Sequence, residues 1–184
     1  MELTVITRDE FEKLRRQKNQ EDFNPAMSMF GIEKITKIVR DAALYNKTLV
    51  SVGSGIAKLE HETGLNWICI DPAPDSYIKR NVYIYPEYST VEKYLESGKY
   101  PGDCVLLLNW PYHGDHDGYD SEAVEKLNPQ RVILIGETMG GSGSQGLRDV
   151  LNKKYQIKSE YLLRVVSNMG VRIMEYCVNV YTRI

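Results

Sequence analysis

The sequence predicts an α/β domain of three layers, a mostly parallel sheet with helices on both faces and an antiparallel strand near its C-terminal end. Two runs, Cys104-Val105-Leu106-Leu107-Leu108 and Val132-Ile133-Leu134-Ile135, are apolar without alternation, as strands covered on both sides are. Strand-like and helix-like periods alternate through most of the chain, the order that builds parallel sheets through crossover helices. Two longer strand-like segments meet at the turn Asn168-Met169-Gly170, which predicts an antiparallel pair closing the sheet.

The elements follow in order. Residues 8–20 are charged and Gln-rich, with Phe11 and Leu14 three apart, the pattern of a surface helix with one thin apolar stripe. Asn24-Pro25 interrupts it. From Met29 to Leu44, Ile32, Ile35, Ile38, Val39 and Ala42 recur at helical spacing and predict a helix with one buried face. Residues 1–28 are thus expected to form a helical N-terminal extension, and 29–184 a single domain. Thr48 to Val52 is a β-branched run stopped by Gly53-Ser54-Gly55, and Ile56 to Glu62 returns to a helical period: strand, tight turn, helix. Further strands are expected at Asn66 to Ile70, ended by Asp71-Pro72, and at Val82 to Tyr85, ended by Pro86. A helix over Ser89 to Leu95 and a strand over Asp103 to Leu108 come next. After the strand at 132–135, a helix over Leu147 to Lys154 leads into the closing segments Tyr155 to Val166 and Val171 to Arg183.

Composition narrows the function classes. The chain has 184 residues, 25 acidic and 23 basic, with 42% apolar, which suits one globular domain of ordinary size. A net charge of -2 supplies no bulk attraction for a polyanion or an anionic membrane. The basic stretch Lys13-Leu14-Arg15-Arg16-Gln17-Lys18 reads as a solvated helix face, with a phosphate contact as the alternative. No apolar run approaches the roughly 18 residues of a spanning helix, and Met1-Glu2-Leu3 opens no secretory signal, so a cytoplasmic chain is expected. Cys69, Cys104 and Cys177 read as small buried apolar residues in a reducing compartment.

Chemistry concentrates after the strands. The turn Gly53-Ser54-Gly55-Ile56-Ala57 follows the first of the alternating strands, and Asp71 ends the next, 18 positions after Gly53. In open parallel sheets, ligands sit beyond the carboxyl ends of the strands, glycines let the backbone approach them, and an acidic residue on the neighbouring strand accepts bonds from ribose hydroxyls. A nucleoside ligand is implied. Lys58 takes the place of the third glycine of the dinucleotide fingerprint, which makes an NAD-dependent enzyme the lesser alternative.

The pattern resembles motif I of the class I S-adenosylmethionine-dependent methyltransferases, whose Gly-x-Gly-x-Gly is met by Gly53, Gly55 and the small Ala57. Ser51 stands where that family usually has an acidic residue. The resemblance spans about residues 29–184. It implies a Rossmann-like sheet and S-adenosylmethionine as cofactor. Gly53, Ser54, Gly55 and Ala57 would lie against the cofactor, Asp71 with its neighbour Pro72 at the ribose, and Glu87 or Tyr88 near the adenine.

Asn109-Trp110-Pro111-Tyr112, directly after the apolar strand, is similar to the Asn-Pro-Pro-Tyr motif of amino-group methyltransferases, with Trp110 departing from it. The resemblance gives Asn109 and a proline carbonyl the task of accepting the acceptor's NH2 protons, with Tyr112 stacked on its plane. Such catalysis is by positioning and needs no strong base. The plainer alternative has Trp110 and Tyr112 cover the sheet end and Pro111 stop the strand.

The loop His113-Gly114-Asp115-His116-Asp117-Gly118-Tyr119-Asp120 reads as a solvated turn matching no closed zinc pattern, with a divalent-metal site, or His113 or His116 as base toward a hydroxyl acceptor, as the alternatives. Gly136 to Gly146 carries five glycines and reads as a lid, a nest of N–H groups or an ordinary connection, with Glu137 reaching substrate or capping the next turn. Tyr83 and Tyr85 share one face and are expected in the core or against a helix.

These features together predict methyl transfer to a small molecule, a nucleotide end or a protein side chain, and do not suit long duplex nucleic acid. The alternatives are a catalytically inactive binding or scaffold protein on the same fold, and an O-methyltransferase.

Overall fold

In the computed structural model, residues 1–17, 25–43, 48–72, 82–111, 118–138 and 141–184 are described. The strands are β1 (Glu2–Thr7), β2 (Leu49–Val52), β3 (Trp67–Ile70), β4 (Val105–Asn109), β5 (Arg131–Glu137), β6 (Tyr155–Val166) and β7 (Arg172–Arg183). The helices are α1 (Arg8–Gln17), α2 (Pro25–Phe30), α3 (Ile32–Ala43), α4 (Lys58–Thr63), α5 (Val91–Glu96), α6 (Tyr119–Leu127) and α7 (Gln145–Lys154). They build one seven-stranded sheet in the order β1-β6-β7-β5-β4-β2-β3. β7 is antiparallel to both its neighbours, and the other pairs are parallel. This is the mostly parallel, three-layer arrangement expected from the uninterrupted apolar runs, with the closing pair inserted as an antiparallel insert near one edge.

Burial explains why those runs do not alternate. Val105 to Leu108 of β4 are at most 1% exposed, because alternate side chains enter two separate cores. On one face lie Val105, Leu107, Ile133 and Ile135 with the α3 residues Ile35, Ile38 and Val39. On the other lie Leu106, Leu108 and Val132 with Tyr94, Val124, Leu127 and Leu147 from α5, α6 and α7. Gly31, at φ 79°, ends α2 and lets α3 start in a new direction with the buried face its spacing predicts. Thr90 and Ser144 cap α5 and α7 by accepting the backbone N–H of Lys93 and Leu147.

Three expectations on local structure are corrected. Residues 2–7, placed in a helical extension, form β1, paired in parallel with β6 from Glu2↔Tyr161 to Thr7↔Val166. The stretch Leu3-Thr4-Val5-Ile6, β-branched at three of its four positions, is an edge strand with Leu3 and Val5 exposed. Val82 to Tyr85 is not a strand. Its backbone instead crosses the glycine turn, Tyr83 N–H donating to the Ile56 carbonyl at 2.9 Å, and pairing with β3 is confined to an isolated bridge between Ile70 and Tyr88. The Tyr83 ring does lie against a helix, α4, beside His61 and under the Lys58 ammonium, whereas Tyr85 is 69% exposed and not in the core. The third correction is α6, which begins inside the polar loop, at Tyr119, behind the left-handed Gly118.

Toward the edge that holds β1, the side chain of Glu175 on β7 accepts hydrogen bonds from Arg164 Nε at 2.7 Å and Thr138 Oγ1 at 3.1 Å, with Arg172 beside it. Burial pushes its carboxyl up, but the two hydrogen bonds and the two guanidinium charges outweigh burial and hold it below the ordinary 4.5. A depressed carboxyl contributes stability that is present above its unfolded value and lost as pH falls through the folded one. Glu175→Gln should therefore cost about 1–3 kcal/mol at neutral pH. In urea denaturation the difference from the unaltered protein should shrink as pH drops below 4.5; a difference that stays constant into acid would contradict this role.

Candidate functional site

Strand order places the candidate residues before any side chain is considered. β2 pairs with β3 on one side and β4 on the other, with Ser51 opposite both Cys69 and Leu107. Two residues further, the carboxyl ends of the three strands bring Gly53, Asp71 and Asn109 to one edge. Between β2 and β4 the chain's direction of travel across the sheet reverses, and such a switch point opens a crevice where ligands of α/β proteins bind.

The turn lining this crevice is held in an unusual backbone conformation. Gly53, Gly55 and Ala57 have φ of 69°, 57° and 51°. The left-handed region is free to glycine but costs an L-residue about 1–2 kcal/mol, so Ala57, fully buried at the start of α4, sits there under strain. The turn is tied to β3 by Gly53 N–H to the Ile70 carbonyl at 2.8 Å and by Gly55 N–H to Asp71 Oδ2 at 2.8 Å. Asp71 is buried, and its own N–H donates to the Tyr88 carbonyl. The residue expected at a ribose thus also clamps the turn; Pro72 beside it is exposed. Against Gly53 lies the Tyr119 ring of α6: a methyl group built on this glycine would stand 3.0 Å from Tyr119 Cε2 and 3.1 Å from its hydroxyl.

Asn109, half-buried, ends β4 opposite Ile135. Trp110 turns away from the strand at φ 58°, its N–H donating to the Ile135 carbonyl at 2.7 Å, and its ring packs at 5.5 Å on Tyr176, which in turn stacks on Phe11 of α1. Burial, with the Glu137 charge nearby, pushes the Tyr176 hydroxyl up to about 12. Trp110 therefore fixes the end of β4 to β7 and α1. Pro111 is buried and its carbonyl accepts Gly143 N–H at 2.9 Å. Tyr112, His113 and His116 lie outside the described residues.

The glycine-rich segment after β5 is packed at each of its described glycines. A Cβ would stand 2.6 Å from Ser142 at Gly136, 1.9 Å from Glu137 Oε2 at Gly141, 2.9 Å from Leu147 at Gly143 and 3.0 Å from Ser121 Oγ at Gly146. Glu137 folds its carboxylate over Gly141. Asp120, buried at the start of α6, accepts Ser144 N–H and Ser144 Oγ–H, both at 2.7 Å, and Ser121 N–H at 2.7 Å. This clasp joins the loop after β4 to the loop after β5. Tyr119 and Asp120, expected in a solvated turn, are instead the first residues of α6, the one lying against Gly53 and the other buried.

A third unforeseen group is Glu60. Its position on α4 was the available signal, since it shares the buried face with Leu59 and Thr63. Ser51 Oγ–H donates to its Oε1. Burial pushes the Glu60 carboxyl up, more than the Ser51 bond lowers it. Burial and then the neighbouring Glu60 push the Cys69 thiol up to about 12, in keeping with an inert, buried cysteine. Among the described residues no group of three or more His, Cys, Asp or Glu could hold a metal ion, and no helix is long and apolar enough to cross a membrane.

No family model and no curated protein matches the sequence. Among solved structures, a Thermoplasma acidophilum protein, 1320, superposes with a TM-score of 0.52 over 95% of this chain and 96% of its own, at 13% identity. The two share a Rossmann-like α/β fold built on a mostly parallel sheet. A precorrin-6y C5,15-methyltransferase from Geobacter metallireducens superposes more loosely, at a TM-score of 0.46 and 11% identity over 82% of this chain and 88% of its own. The methyltransferase domain of a bacterial Hen1 does so at 0.46 and 13%, over 82% and 96%. At 13% identity the first likeness bears on the fold alone.

The strained turn yields a direct check. Gly53→Ala should lose about 1–2 kcal/mol through its φ alone, plus a steric part that Tyr119→Ala, combined with it, relieves. Urea denaturation of the two single variants and the double variant measures that coupling; a neutral Gly53→Ala would contradict the turn described.

Proposed function

We propose that the protein is an S-adenosylmethionine-dependent methyltransferase, and that its acceptor is an amino group held at Asn109. The observation that carries this reading is the juxtaposition of the left-handed glycine turn, ending β2, with Asn109, ending β4, across the switch point of the sheet. The residues present fit such a cofactor: a turn of small residues, a buried acid at the tip of the next strand, and a buried carboxyl oxygen without a partner beneath the turn. Gly53, Ser54, Gly55 and Ala57 would hold it by backbone contact, with Asp71 and Pro72 at its nucleoside. When bound, the cofactor supplies a methyl group on a positively charged sulfur, an activated leaving group.

The chain's own contribution is then to align and to exclude water. Asn109 offers a side-chain oxygen to an amine proton, which directs the nitrogen lone pair without removing a proton beforehand. Pro111, whose carbonyl is bonded to Gly143, and Tyr112 belong to the same acceptor loop, and His113 would serve if the acceptor were a hydroxyl. Acceptors in keeping with this one domain are small molecules, nucleotide ends and protein side chains.

A second reading, a binding or scaffold protein without turnover, is favoured by the internal use of polar groups the chemistry would want: Asp71 holds Gly55, and the Pro111 carbonyl holds Gly143. Calorimetry with S-adenosylhomocysteine, followed by a methyl-transfer screen over amines, separates the two. We expect Asn109→Ala to bind the nucleoside within about threefold of the unaltered protein and to lose at least about 100-fold in turnover. Equal loss of both would remove Asn109 from acceptor positioning, and binding without transfer to any acceptor would favour the scaffold.

A further inference from the structure

A carboxyl group lies beneath the glycine turn with half its hydrogen-bonding capacity unused. Glu60 is 0% exposed, Oε1 accepts the Ser51 hydroxyl, and Oε2 meets no donor. An acid buried without a cation costs more than an apolar residue of its size would, so a fold that keeps one invites a functional explanation. Its surroundings are nearly free of charge. The buried face of α3 is Ile35, Ile38, Val39 and Ala42; on α4 its neighbours are Leu59 and Thr63; and β2 offers the Ser51 hydroxyl. β3 presents Cys69, whose thiol is neutral at ordinary pH, and then Asp71, whose carboxylate is engaged with Gly55 N–H.

Resting on the cofactor reading above, we propose that Glu60 is the counter-charge for a positively charged ligand on the glycine turn, and that binding of that ligand expels the Glu60 proton to solvent. Helix α4 begins where the turn ends, at Ala57, so Glu60 stands on its first turn, and its link to Ser51 reaches two residues before Gly53. In the free protein, burial keeps the group a neutral acid over a wider pH range than an exposed carboxyl. A cation arriving on the turn favours the carboxylate, because unlike charges attract strongly in a medium of low dielectric constant. The O–H bond of the acid breaks, its proton passes to buffer, and the carboxylate left behind balances the ligand's charge. The class of ligand is thereby narrowed to nucleosides whose side chain is cationic.

The test is calorimetric titration of the full chain in paired buffers of different ionisation heat, acetate against MES at about pH 5 to 6 and phosphate against imidazole at about pH 6 to 8. Three nucleosides serve as probes: S-adenosylmethionine, with a sulfonium and an ammonium; S-adenosylhomocysteine, with an ammonium; and methylthioadenosine, which has neither. We expect proton release approaching one per S-adenosylmethionine at the acid end of that range, less for S-adenosylhomocysteine and none for methylthioadenosine. Glu60→Gln keeps an acceptor for Ser51; it should abolish the release and weaken S-adenosylmethionine about tenfold while leaving methylthioadenosine unchanged. Release that persists in Glu60→Gln overturns the assignment. If that variant does not fold, equal proton counts for the charged and neutral probes on the unaltered protein overturn it as well. Failure of all three to bind the unaltered protein has a different signature: it removes the cofactor reading itself and this inference with it.

Discussion

The edge where ligands would bind depends on a backbone that turns left three times in five residues. Gly53, Gly55 and Ala57 carry the chain from β2 into α4 with positive φ, and hydrogen bonds from Gly53 and Gly55 to Ile70 and Asp71 hold that path against the tip of β3. β2 can be tied in this way because it is flanked on both sides by parallel strands, so its end is fixed to the same level as Asp71 and Asn109. The strain at Ala57 is accommodated where surrounding structure over-determines the conformation, between the buried start of α4 and the loop that crosses over at Tyr83.

The opposite wall of the crevice is organised by polar contacts. Asp120 gathers three donors at the start of α6, two of them from Ser144 at the start of α7, while Pro111 receives Gly143. These bonds make the ends of β4 and β5 a single unit. The glycines from Gly136 to Gly146 serve that unit by permitting close approach, most strictly at Gly136, where a methyl group would stand 2.6 Å from Ser142 Cβ. A segment that reads as flexible from its composition is therefore a packed corner. Tyr119 links the two walls by lying on Gly53.

Much of this was legible in the residues and some was not. The uninterrupted apolar runs around Leu106 and Ile133 specify strands buried on both faces, and the turn at 168–170 specifies the antiparallel closing pair; both depend on local pattern, which a single sequence carries well. The position of Gly53, Asp71 and Asn109 at one edge follows from parallel topology for the same reason. β1 was not legible, because its pairing with β6 joins residues some 160 positions apart and leaves Leu3 and Val5 exposed. The stretch 82–85 alternates like a strand, but its backbone bonds go to the glycine turn at Ile56, a tertiary choice that period alone does not reveal. The burial of Glu60 and Asp120 was not legible, because an acidic residue near a helix start usually faces water. Here each is buried, one by α4 against the sheet and one by the α6–α7 clasp.

The central claim is that the crevice between β2 and β4 is where a nucleoside ligand sits. The most direct measurement is a backbone amide NMR titration of the labelled protein with S-adenosylhomocysteine. The account predicts that the largest shifts fall on residues 53–57, on Asp71 and on Asn109 and Trp110, with β1 and the turn at 168–170 unmoved. Shifts centred on β1 and α1, or no shifts at saturating ligand, would contradict it.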